Sequence, residues 1–137
     1  MLKPILAIFI IAHGLVHSGL AAAPNPNDPN SKLGAIFTAA ERSWLLPNIG
    51  LSPESIKWTG LILVILSTLG FVISGLGIFG LAGFENIWRE SAVFSAITSL
   101  LLLFLFWHPW FPVGILIDIA ILIALLGIKW PLDHLLG

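Results

Sequence analysis

The chain has 137 residues, 58% of them apolar and 9% charged, with a net charge of −1; soluble domains average about 45–50% apolar and about 25% charged. Its six lysines and arginines lie far apart, so no basic groove for nucleic acid can form. With no cysteine, disulfides, thiolate metal sites and iron–sulfur clusters are excluded.

The apolar excess is gathered into long runs: Ile5 to Ile11, Leu61 to Phe79, Ala92 to Trp107, and Phe111 to Ile128. Runs of about 18–20 residues match the hydrocarbon layer of a bilayer when helical. An integral membrane protein of the cell membrane follows, multi-pass, with lipids as its first partners.

The first span is expected over about 3–22. It contains "IAHGLVHSGLAAAP", residues 11 to 24, which poses a choice. Lys3, an apolar stretch and Ala21-Ala22-Ala23 look like a signal peptide. Two histidines interrupt the apolar core, however, and cleavage after Ala23 would place Pro24, with its rigid ring and no N–H, beside the scissile bond. The expectation is a retained membrane helix. Pro4 is tolerated in its first turn, where its missing N–H has no partner anyway.

A long loop, about 23–52, opens with the turn-rich "PNPNDPNS". "KLGAIFTAAERSWLLP" follows, with Leu33, Phe37, Ala40 and Trp44 on one helical face and Lys32, Glu41 and Arg42 elsewhere. This predicts an amphipathic helix, lying on the membrane surface or packed on the ends of the bundle. Either placement covers that end.

The second span, about 53–80, has a complete start signal: Ser52 as N-cap, Pro53 at the first position, Glu54 in the first turn. "GLGIFG", residues 75–80, follows no strand and is rejected as a dinucleotide fingerprint. Glycine and serine four apart (Gly70 and Ser74, Gly14 and Ser18) suit close helix packing instead. The third and fourth spans, about 89–107 and 112–130, are joined by "HPWFP", a hairpin too tight to hold a domain. Trp58, Trp88, Trp107, Trp110 and Trp130 all fall near span ends, as an aromatic belt requires. The expected fold is therefore all-α: four transmembrane helices in one antiparallel bundle, with an amphipathic helix in the first loop. The lysines and arginines divide three against three between the two sides; the short loops and the N-terminus favour an N-terminus inside.

Histidine and aspartate within a span point to function. His13, His17, His108 and Asp118 qualify. Asp118 lies about 9 Å and His13 about 13 Å from the face carrying the long loop, at helical rise. His17 is one turn nearer that face, and His108 sits at its mouth; His134 belongs to the opposite side. His13 and His17, four apart, share a helical face. Gly14, Ser18 and Gly114 provide room for close neighbours, and Ser67, Thr68, Ser95, Thr98 and Ser99 add hydroxyls near mid-membrane.

Three readings stay open. Asp118 accepts a hydrogen bond from His13 or His17 and merely fixes two helices. Alternatively, His13, His17 and Asp118 form a three-ligand metal site, or with His108 they hold a haem, a chlorophyll-type pigment or a quinone. The third is an enzyme, an oxidoreductase component or a lipid- or quinone-modifying catalyst with histidine as base; no nucleophile motif supports it and no catalytic residue is assigned. The function these favour is a small accessory or ligand-binding subunit, with a larger membrane complex or a homo-oligomer as its setting.

"AHGLVHSG", "RSWLL" and "FWHPWFPVGILIDIAIL" resemble a loose group of small four-helix bacterial membrane proteins with no assigned activity. In size and span order the chain is also similar, more weakly, to DoxX-like membrane proteins, some of them linked to quinone-coupled oxidation. Their characteristic motifs are not visible here, and no functional residue is carried over.

Overall fold

The computed structural model describes residues 2–23 and 36–127. Among them are four α-helices: α1 (Leu2–Ala22), α2 (Pro53–Phe79), α3 (Trp88–Leu105) and α4 (Phe111–Leu122). No strand occurs among the described residues. The first three helices are long and apolar enough to cross a membrane. The fourth apolar segment, Phe111–Gly127, is shorter.

Local chemistry explains the helix ends. Ser52 caps α2 by accepting from the Ser55 amide at 3.2 Å, with Pro53 directly after it, as the sequence predicts. Gly80 closes α2 at φ +84°, a left-handed conformation in which a Cβ would be strained. Helix α3 stops at Leu105, two residues short of the expected Trp107. Pro109 disfavours helical backbone at His108, so the helix cannot run on into the hairpin.

Helix α4 passes into a π turn at Ile123–Gly127 instead of continuing regularly. The shifted bonding of a π turn frees backbone groups, and the Arg89 guanidinium donates to the Leu125 carbonyl there. The rest of the expected fourth span, with Trp130, and His134 beyond it lie outside the described residues.

Close contacts set the helix order. A Cβ on Gly14 would lie 2.6 Å from the Phe71 Cβ, and one on Gly75 would lie 2.9 Å from the Ala7 carbonyl. Gly70 packs on Ser95, and Gly77 on Phe84 and Trp88. The Gly75, Gly77 and Gly80 of "GLGIFG" are thus two packing points and a helix cap. Numbers rise along one helix as they fall along its contacting neighbour. Leu103 against Gly114 and Ser99 against Asp118 continue the pattern from α3 to α4.

Expected as an amphipathic helix, the first loop in its described part has turns at 36–38 and 46–50 and a single 3-10 turn at Ala40–Arg42 between them. Tertiary contacts outweigh the periodicity. Phe37 is fully buried, stacked on Phe111 (ring centroids 5.4 Å apart) and edge-on to Phe106. Its carbonyl occupies the space where a Gly60 side chain would stand. Trp44 donates Nε1–H to the Phe104 carbonyl at 2.7 Å, satisfying one of the orphan acceptors at the end of α3. Leu33 and Lys32 lie outside the described residues.

The interior mixes apolar clusters with an unusual share of polar side chains. His13, His17, Ser67, Ser74, Ser95, Thr98, Ser99 and Asp118 are buried, while Ile5, Ile8, Ile62, Leu69, Ile97 and Leu116 face outward. A hydrocarbon surround accounts for this distribution, because apolar surface then needs no burial and polar groups do.

Candidate functional site

Glycine makes the site possible. At Gly14, α1 lies directly on α2, with the Phe71 side chain and the Thr68 carbonyl in the space a Cβ would need. Thr68 Oγ1 donates back to the Gly14 carbonyl at 3.1 Å. The neighbouring His13 and His17 are thereby turned into the bundle. The Phe71 ring lies against both imidazoles, with centroids 4.9 Å from His13 and 6.3 Å from His17.

Four side chains then form one continuous chain of hydrogen bonds. His17 Nδ1–H donates to the His13 carbonyl at 3.0 Å. A carbonyl only accepts, which places a proton on His17 Nδ1 and leaves Nε2 facing Ser99. His17 Nε2 and Ser99 Oγ are 2.7 Å apart. Ser99 Oγ and Asp118 Oδ2 are 2.5 Å apart. Asp118 Oδ1 and His13 Nε2 complete the chain at 2.9 Å.

Asp118 is fully buried, and among the described residues its ion-pair partner is His13. Of the two histidines open to it on sequence grounds, His13 reaches it directly and His17 reaches it through Ser99. One nitrogen from each histidine and one Asp118 oxygen lie within 4.8 Å of one another, a grouping able to hold a metal ion. The anchored Nδ1 of His17 is the kind of outer bond that fixes a metal-binding imidazole.

A cavity of about 240 Å³ adjoins the chain. From α1 it is lined by His13, Val16, His17 and Leu20, and from α4 by Phe111, Val113, Gly114 and Ile117; Leu103 and Trp110 complete it. Val16, Val113 and Trp110 are exposed, so the cavity opens on the outer surface of the helices. Its walls are apolar apart from the two imidazoles.

His108 is not part of the hydrogen-bonded chain. Its Nδ1 accepts from the Trp110 amide at 3.3 Å, and its ring rests on Trp110 and Phe111. It shapes the hairpin, while its two neighbours line the cavity. Ser99 and Phe71 are the contributors that sequence reasoning did not place in the site. A signal for Ser99 existed: it lies nine residues before His108 and Asp118 ten after it, so folding the hairpin brings them level. Phe71 had none, since one aromatic residue in an apolar span resembles any other.

By fold and composition this is a membrane-type helical protein with a buried His/Asp cluster. No family model, curated protein or solved structure matches the chain.

Proposed function

We propose that the protein is a four-span antiparallel bundle of the cell membrane and acts as a small ligand-binding subunit. Its ligand is an apolar molecule held in the cavity between α1 and α4, with its polar end on the histidines. The observation that carries this reading is the juxtaposition of an outward-opening apolar cavity of about 240 Å³ with the only two imidazoles in its wall. A pair serving structure alone does not require a cavity beside it. Apolar lining with a few convergent polar groups is the usual make-up of a small-molecule site.

The grouping of His13, His17 and Asp118 supports a second reading, a bound metal ion. In that case the ion takes over the contacts that Ser99 and the Asp118–His13 bond now make. Zinc is the simplest candidate for two imidazoles and a carboxylate.

One experiment tests both readings. The protein is purified in mild detergent and examined for absorbance, metal content and extracted small molecules by mass spectrometry, beside Ile117→Trp, which fills the cavity. The expected result is a co-purifying apolar molecule that the variant loses. Stoichiometric metal, kept by the variant, would replace the first reading by the second. A protein free of both would leave the cluster a structural lock.

A further inference from the structure

Three links must each hold one hydrogen: His17 to Ser99, Ser99 to Asp118, and Asp118 to His13. Ser99 supplies one. His17 Nδ1–H is committed to the His13 carbonyl and supplies none.

Two arrangements fill every link with no net charge. In one, His13 Nε2–H donates to Asp118 Oδ1, a protonated Asp118 donates from Oδ2 to Ser99, and Ser99 donates to a neutral His17. In the other, the chain's protons have moved one step each: a doubly protonated His17 donates to Ser99, which donates to an ionised Asp118. His13 is unchanged. Placing the His13 proton on Nδ1 requires Asp118 to donate from Oδ1, and all links are then filled only if His17 also carries an extra proton. That leaves a buried net positive charge, with no carboxylate besides Asp118 in contact with the chain among the described residues. An isolated charge in a low-dielectric interior is heavily penalised.

His13 Nδ1 is therefore a bare lone pair in both neutral arrangements. It has no partner among the described residues, yet the one fully buried side-chain polar atom without a partner among them is Ser74 Oγ. His13 Nδ1 is accordingly not sealed in, and His13 lines the cavity. We infer that the cavity selects an apolar molecule bearing a hydroxyl, an alcohol or phenol that donates to His13 Nδ1, over the matching ether or ketone, which cannot donate. This inference rests on the ligand-binding reading above.

The test uses the full chain in detergent and four probes: 4-nonylphenol, 1-dodecanol and the methyl ether of each. Calorimetric binding is expected to favour a hydroxyl compound over its ether by about tenfold, the worth of one hydrogen bond. The phenol and alcohol arms separate an aromatic from an aliphatic source. In parallel, 15N spectra of histidine-labelled His108→Gln/His134→Gln protein, which keeps His13 and His17, are expected to show one unprotonated His13 ring nitrogen. That signal is expected to shift when the preferred hydroxyl compound binds.

Equal binding of hydroxyl and ether compounds would overturn the hydroxyl selection while leaving the cavity a ligand site. A protonated His13 Nδ1 would overturn the hydrogen count. Binding of none of the four probes, with Nδ1 bare, would overturn the ligand-binding reading itself.

Discussion

Next to the loop end of the bundle, three titratable side chains and a serine are joined so that every link has a partner. Toward the opposite end, around Gly75 and Ser74, packing is built from small residues. There Ser74 Oγ is fully buried without a partner among the described residues, beside an apolar cavity of about 60 Å³. The first region places polarity on bonds that tie α1, α3 and α4 together. The second brings α1 onto α2 through a missing side chain, and its hydroxyl contributes no bond. Polarity inside this bundle therefore stabilises only where it is connected; elsewhere close approach of backbones performs the same task.

The largest test of that contrast is Asp118→Ala. It leaves His13 Nε2 unpaired in the interior, takes one of Ser99's two partners, and is expected to cost about 3–5 kcal/mol, the usual loss on removing one member of a buried pair. Thermal or denaturant unfolding in detergent reads it. A loss no greater than that from substituting Ser74 would erase the distinction between the two regions.

Coupling sharpens the comparison. A cycle with His13→Ala and Asp118→Ala is expected to show about 1–3 kcal/mol of non-additivity, as for residues in direct contact. His13→Ala paired with Ser74→Ala, in separate regions, should add within about 0.5 kcal/mol.

Gly75→Ala examines the other region on its own terms. The new Cβ meets Ile11 and the Ala7 carbonyl, and a backbone atom cannot swing aside as a side-chain tip does. The expected loss is about 1–3 kcal/mol, the range for overpacking. Ser99→Ala should fall in a similar range, about 1–3 kcal/mol, because His17 Nε2 and Asp118 Oδ2 both lose their partner.

The smallest expected effect has the opposite sign. Ser74→Ala removes a buried hydroxyl that makes no bond among the described residues, so stability should stay level or rise by about 1 kcal/mol. A clear loss on the same unfolding assay would show that Ser74 does find a partner.

Intact-mass measurement of the mature protein bears on α1 itself. A mass beginning at Pro24 would remove both histidines and with them the whole polar chain. The expected mass retains them, since Pro24 and the interrupted apolar core make a poor processing signal.

The sequence alone determined the helical class, most helix boundaries, and that His13 and Asp118 stand level with each other on their helices. Those follow from apolar run length, from Ser52-Pro53 and from a rise of about 1.5 Å per residue, all properties of one helix at a time. Tertiary structure decided what each polar group touches. Spans that are apolar on every side carry little signal for how one helix is rotated against the next. That rotation is set where Gly14 lies on Phe71 and Gly70 on Ser95. Only with it fixed does Asp118 meet His13 directly and His17 through Ser99. The first loop shows the same limit: its helical periodicity is genuine, but the described part is held as turns by Phe37 between two phenylalanines and by Trp44 on the end of α3. A local pattern cannot weigh partners that lie some 60 residues away along the chain, as Phe104 does from Trp44.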